Sequence, residues 1–189
     1  MKKRLRIEYF FVAAVMLLLF VGSIAATNFF FQKEMVAQQE TYLRRKNTLL
    51  TDQLPPSVFE KGQLTNQQQL LVTHALDDAE ERVTLLQKNG TVFFDSSQNE
   101  PLESHKKRPE IAAVLSGATY GSALRKSKTL NKELLYVATP VLKSGEIVGI
   151  IRISEQTALF SKNIQSFRRY IIFTFGILFL LITDRKSTR

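Results

Sequence analysis

The chain has 189 residues, 44% of them hydrophobic and 23% charged, no cysteine, and a net charge of +9. This composition falls in the range of folded proteins, so long disorder is not expected. The lack of cysteine excludes a disulfide framework and any thiolate metal site. The positive charge is concentrated beside apolar segments: residues 1–8 carry +3, residues 184–189 carry +2, and the long middle from 32 to 169 only +4. That distribution marks membrane orientation and argues against a nucleic-acid-binding surface.

Tyr9 to Phe31 reads YFFVAAVMLLLFVGSIAATNFFF, 23 residues without a charge. At about 1.5 Å per residue it is long enough for the roughly 30 Å hydrocarbon core. The preceding basic residues Lys2, Lys3, Arg4 and Arg6 place residues 1–8 in the cytoplasm as a basic tail, with transmembrane helix 1 over 9–31 and the chain outside from residue 32. Ser23-Ile24-Ala25 loosely fits a signal-peptide cleavage site. A signal h-region is about 7–15 residues, however, and this run continues through Phe29–Phe31, which favours an uncleaved anchor.

Residues 32–54 are polar, with Met35, Tyr42 and Leu49 recurring every seven residues and Val36, Leu43 and Leu50 beside them. This predicts a helix continuing from the membrane segment and ended by Pro55-Pro56. One apolar column packs on the chain's own domain or forms a parallel dimer seam through Met35, Tyr42 and Leu49; the spacing fits both. Thr65-x-x-Gln68 makes a capping box, predicting a second helix from Thr65 to about Glu81. Its acidic run Asp77, Asp78, Glu80 and Glu81 suits the wet side of that helix better than a divalent-cation site.

Arg82–Leu86 and Thr91–Asp95 flank Asn89-Gly90, a strong hairpin signal. After a polar loop over 96–108, Pro109 opens a short helix from Glu110 to Leu115 that Gly117 closes. Three strands are then expected near 119–127, 133–139 and 146–154, with a helical pattern from Glu155. Phe93, Phe94, Tyr136, Ile150 and Ile153 fit a core, and Arg152 is expected to pair with Asp95 or Glu110. Two strands, a short helix and three strands between helices describe an α+β domain with an antiparallel sheet.

Tyr170 to Thr183 is a second apolar run of 14 residues, too short to cross a membrane. It is expected to be the truncated start of transmembrane helix 2, in preference to a short helix lying at the membrane interface. The tail 184–189, DRKSTR, is also what one reading frame of a common sequencing adapter encodes, and is expected to be an artefact. The outer domain then spans 32–169.

From the hairpin onward the sequence resembles the extracytoplasmic domain of phosphate-regulon-type (PhoR-like) sensor histidine kinases of Gram-positive bacteria. The matching pieces are Arg82-Val83-Thr84-Leu85 with Gly90-Thr91-Val92 and Asp95-Ser96; Arg108-Pro109-Glu110-Ile111; Ser127-Lys128-Thr129-Leu130; Leu135-Tyr136-Val137-Ala138 with Pro140; and Gly149-Ile150-Ile151-Arg152-Ile153-Ser154. The resemblance covers roughly residues 1–183. It implies a PAS-like, single-Cache fold: a five-stranded antiparallel sheet with a long N-terminal helix. It also implies a parallel homodimer and, in a longer parent, a HAMP linker, a phosphoacceptor helix and an ATP-binding kinase domain that would phosphorylate a response regulator.

Neither His74 nor His105 has the flanks of a phosphoacceptor, and no catalytic triad, zinc spacing or phosphate-binding loop appears, so catalysis, cofactor and metal are not expected within these residues. In Cache-type sensors the loop and short helix between the second and third strands cover a ligand cavity on the sheet. The basic groups His105, Lys106, Lys107, Arg108 and Arg125, Lys126, Lys128 are placed to border it, with His105, Arg108, Arg125, Lys126 and Lys128 as candidate ligand-binding residues. They suit an anionic small molecule or wall polymer, or else a solvated face. The expected function is the sensing input of a two-component histidine kinase in the plasma membrane. The alternatives are the Cache sensor of a chemoreceptor or other membrane signalling protein, a membrane-anchored wall-polymer-binding module, and a secreted protein with a cleaved signal.

Overall fold

Leu43, Asn47, Leu50 and Leu54 recur at the three- and four-residue steps that bring side chains onto one helix face, and all four are buried. The first three belong to α1 (Lys2–Gln53), an uninterrupted helix of 52 residues in the computed structural model, and Leu54 follows directly, its N–H donating to the Leu50 carbonyl at 3.0 Å. The structure describes residues 2–76, 81–97, 103–127, 131–156 and 169–177. The chain divides into two units, residues 36–157 and residues 1–35 with 158–189.

In the first unit α1 is followed by α2 (Pro56–Lys61), α3 (Asn66–His74), β1 (Arg82–Gln87), β2 (Val92–Asp95), α4 (Pro109–Leu115), β3 (Gly121–Lys126), β4 (Glu133–Lys143) and β5 (Glu146–Gln156). The strands form one antiparallel sheet in the order β2-β1-β5-β4-β3. The expected α+β class, with a long N-terminal helix and five antiparallel strands, is what the structure shows.

Because strand side chains alternate, the sheet has two different faces. One presents Val83, Leu85, Leu135, Val137, Ile151 and Ile153 to Leu43 and Leu50 of α1, Leu54 just after it, Val58 and Phe59 of α2 and Val72 of α3. Each such buried aliphatic contributes about 1.5–3 kcal/mol relative to exposure. Asn47 fixes α1 over the sheet by donating to the Val137 carbonyl at 2.9 Å. Gly149 lets α2 approach: a Cβ there would meet Phe59 Cδ1 at 2.3 Å. The opposite face is apolar where Leu86, Ala138 and Ile150 meet Ile111 and Val114 of α4, and charged towards its other end.

Several boundaries differ from the sequence reading. Pro56 does not merely end α1; it occupies the first turn of a further short helix, α2, where a missing N–H costs nothing. The capping box forms as expected, with Gln68 N–H donating to Thr65 Oγ1 and Thr65 N–H to Gln68 Oε1, but α3 stops at His74. Glu81 is therefore not on a wet helix face. It is buried beside β1 and paired with Lys46 of α1 at 2.5 Å, while Asp77, Asp78 and Glu80 lie outside the described residues. Strand β5 runs to Gln156, so Glu155 is strand rather than helix. The Glu155 carboxylate accepts a hydrogen bond from Gln39 of α1.

The second unit holds the N-terminal part of α1 and helical residues 169–177, with the rings of Phe20 and Phe175 at 4.7 Å between centroids. Among the described residues one helix, α1, is long and apolar enough to cross a membrane. Part of the expected second span, from residue 178, and the tail 184–189 lie outside the described residues.

Candidate functional site

Register assembles the charged end of the sheet. Thr84 faces Asp95 on one side and Arg152 on the other, Arg152 faces Ala138, and Tyr136 faces both Ser154 and Ala123. Arg82, Thr84, Asp95, Tyr136, Arg152, Ser154 and Arg125 consequently share the face that α4 partly covers. Two close approaches hold the covering segments down. Gly121 on β3 meets the α4 backbone, where an added Cβ would lie 2.1 Å from the Glu110 carbonyl oxygen. Gly90 in the β1–β2 turn has φ +87 and would carry a Cβ 2.8 Å from Lys106 N, and its carbonyl accepts from His105 N at 2.9 Å.

The hydrogen bonds form a chain. Arg82 Nε donates to both oxygens of Asp95 at 2.8 and 2.9 Å, and Thr84 Oγ1 donates to Asp95 Oδ2 at 2.9 Å. Arg152 Nη2 donates to Thr84 Oγ1 at 2.9 Å and its Nη1 to Glu110 Oε1 at 3.3 Å. Arg125 Nη2 reaches the same Glu110 oxygen at 2.9 Å, and its guanidinium lies 3.7 Å over the Tyr136 ring. Three arginines thus meet two carboxylates.

Burial pushes the Glu110 and Asp95 carboxyls up, but the arginine hydrogen bonds and charges outweigh it and hold both below their ordinary values. Burial, opposed by Glu110, draws Arg152 down to about 10, so it stays charged at neutral pH. His105 is drawn down to about 4 by burial and then by Arg152, Arg108 and Arg82. It is therefore a neutral imidazole near pH 7 and not a member of a cationic patch. With His105 neutral, the cluster keeps one uncompensated positive charge.

Of seven buried side-chain polar atoms lacking a hydrogen-bond partner among the described residues, five belong to this cluster: Glu110 Oε2, Arg125 Nε, Arg152 Nε, Ser154 Oγ and His105 Nδ1. Buried polar groups are otherwise almost always paired. This end of the sheet therefore holds unpaired arginine donors, Arg125 Nε and Arg152 Nε, beside an unpaired carboxylate oxygen, Glu110 Oε2.

The structure separates the sequence candidates. Arg125 enters the cluster, His105 is buried beside it, and Arg108 is half-buried at the start of α4, close enough to act on His105. Lys126 is exposed on the next residue of β3, where alternation turns it away from Arg125. Lys106 and Lys107 are exposed in the loop, and Lys128 lies outside the described residues. The expected Arg152 pairing is with Glu110 and not Asp95, which takes Arg82 instead. Tyr136, expected in the core, is buried but serves as the platform for Arg125. Arg82, Thr84, Asp95, Glu110 and Ser154 were not singled out as site residues. For Arg82, Thr84 and Ser154 the signal was the placing of polar residues at every second position of otherwise apolar strands.

A five-stranded sheet in this order, backed by a long N-terminal helix and capped by a short helix over a charged end, is the architecture of a Cache-type domain. The chain belongs to the single Cache-like family, whose profile matches residues 52–156. No curated protein matches it significantly in sequence. Among solved structures it is similar to the sensor domain of the V. cholerae histidine kinase DctB, at TM-score 0.62 and 18% identity over 78% of this chain and 59% of that one. It is also similar to the ligand-binding domain of the Campylobacter jejuni chemoreceptor Tlp3, solved with L-valine, at TM-score 0.51 and 13% identity over 79% of this chain and 66% of that one. An extracellular ligand-binding receptor from Desulfohalobium retbaense matches at TM-score 0.54 and 10% identity, over 70% of this chain and 25% of that one. The chain spans less than two thirds of each of these structures, and at such identities the likeness is one of fold. That fold is used by sensor kinases and chemoreceptors alike.

Proposed function

We propose that this chain is the membrane-anchored, signal-sensing input region of a two-component sensor histidine kinase of the phosphate-regulon (PhoR-like) type of Gram-positive bacteria. Residues 1–8 lie in the cytoplasm, 9–31 cross the membrane, 32–169 form the extracytoplasmic sensor, and 170–183 begin the return span. The parent kinase contributes ATP binding and phosphotransfer to a response regulator. The signal is a small anionic molecule or an anionic group of the cell wall, received at the arginine cluster.

The observation that carries this reading is the under-satisfied set of half-buried Arg125 with buried Glu110 and Arg152, where α4 meets the sheet of a Cache-family domain. Arg152 lies on β5, four residues before the end of the strand that leads towards the second apolar segment. A ligand that repositions Arg152 therefore acts on the strand joined to the outgoing chain, and packed elements of receptors commonly shift by about 1–2 Å. Two copies associate in parallel through Met35, Tyr42 and Leu49. The column Val36, Leu43 and Leu50 packs on the sheet domain, whereas Tyr42 and Leu49 are exposed.

The test is a chimaera joining residues 1–182 to the cytoplasmic half of a characterised sensor kinase. Arg152→Leu and Glu110→Gln should each change autophosphorylation in membranes by at least about threefold, in either direction. Unchanged output from folded, membrane-inserted variants would remove the sensing role of the cluster. The likeness to Tlp3 supports a second output, a chemoreceptor, in which the same sensor joins a different cytoplasmic half.

A further inference from the structure

Glu110 is wholly buried, and its carboxylate occupies a position between two arginines that the sheet supplies. Arg125 is braced by the Tyr136 ring and Arg152 by Thr84. Both guanidinium groups are thus held by the sheet independently of Glu110, and each keeps an unpaired Nε. Glu110 itself belongs to a helix of seven residues, α4, whose further hold on this face is Ile111, Val114 and the close approach of its backbone to Gly121. One Glu110 oxygen receives both arginines, and the other has no partner. A fixed seat of two arginines around a singly used carboxylate on a small element is an anion site with a tethered occupant.

We infer that Glu110 is an internal stand-in for a small soluble carboxylate, and that the Arg125–Arg152 seat accepts an external monocarboxylate when Glu110 withdraws with α4. This rests on the cluster being the ligand seat and adds the ligand's chemical class and the competition that gates entry. Size follows from the occupant: truncating glutamate to alanine removes a CH2–COO group, the bulk of one acetate. Charge follows from the cluster, which without Glu110 holds three arginines against Asp95 alone. A tethered carboxylate competes at an effective concentration of order millimolar, so the intact chain responds to external carboxylate only weakly.

The experiment uses the full chain in detergent micelles, with thermal unfolding followed by circular dichroism. Glu110→Ala should lower Tm, and sodium acetate should restore at least half of the loss with a saturable midpoint below about 20 mM, whereas sodium chloride at equal ionic strength should not. Adding Arg152→Leu to Glu110→Ala should abolish the acetate response. Glu110→Gln, which keeps the shape and loses the charge, decides the matter if Glu110→Ala does not fold: by calorimetry it should bind acetate at least tenfold tighter than the unsubstituted chain. Equal effects of acetate and chloride, rescue that persists without Arg152, or no tightening in Glu110→Gln would each overturn the inference. Because the readout is anion binding and not kinase output, a failed chimaera with acetate rescue intact would count against the kinase reading alone.

Discussion

The guanidinium of Arg152 on β5 donates to the carboxylate of Glu110 on α4 across 3.3 Å, with both side chains almost wholly buried. This contact ties the short covering helix to the strand that leads out of the domain. It places the charge balance of the cluster and the exit of the chain on one element.

Arg152→Ala leaves Glu110 paired with Arg125 but removes the buried hydrogen bonds that Arg152 makes to Glu110 and Thr84. Hydrogen bonds to charged groups contribute about 1.5–3 kcal/mol, so urea unfolding of the full chain should show a loss of about that size. Combined with Glu110→Gln, the loss should be smaller than the sum of the two single losses, because neighbours in one network are not additive. Strict additivity would show that the two side chains do not act together.

The geometry of α4 depends on Gly121, since an added Cβ would lie 2.1 Å from a backbone oxygen that cannot rotate away. Gly121→Ala should cost about 1–3 kcal/mol, the usual range for overpacking. It should also displace Glu110, which amide exchange in residues 110–115 would report as faster. Unchanged exchange there would mean that α4 tolerates the methyl group without moving.

His105 gives a pH signature. Its folded value of about 4 lies below the ordinary 6.5, so between those values the unfolded chain binds a proton that the folded chain does not. Stability is full above about pH 6.5 and falls as pH drops towards 4. The groups around the ring are Arg152, Arg108, Arg82 and Asp95. Asp95 and Glu110 have folded values below their ordinary 3.8 and 4.5, so their contribution is lost only at lower pH, as it falls through those depressed values. Tm measured from pH 5 to 7 should slope upward, and His105→Asn should flatten that slope. An unaltered slope would assign the titration to another group.

The two apolar columns of α1 should behave differently. In a chain that has no cysteine, a single cysteine at Leu49, which is 60% exposed, should form a disulfide between two copies in membranes. One at Leu43, wholly buried in its own domain, should not. Absence of crosslinking at Met35, Tyr42 and Leu49 alike would refute the parallel seam.

Sheet and helix layer were legible in the sequence because their signals are local. The Asn89-Gly90 turn, the Thr65–Gln68 capping box and the β-branched run from Ile147 to Ile153 each declare their element within a few residues. Helix α2 was hidden by Pro55-Pro56, which signals a stop and a start equally well. The end of α3 was hidden because the acidic stretch after His74 continues a helical composition. The cluster was half legible: Arg125, Arg108 and His105 stood out as charge, and Arg152 could be matched to Asp95 or Glu110. That Glu110 takes both Arg152 and Arg125 while Asp95 takes Arg82 emerges only when the strands and α4 are assembled. Alternation distinguishes Arg125 from Lys126, yet which face a strand buries is a tertiary fact.

The account depends most on the sheet domain lying outside the cytoplasm. Single cysteines at Lys107, exposed in the loop before α4, and at Lys3, in the basic N-terminal stretch, can be probed in intact cells with a membrane-impermeant maleimide. The account predicts that position 107 is labelled in intact cells and position 3 only after permeabilisation. Labelling of position 3 alone in intact cells would contradict it.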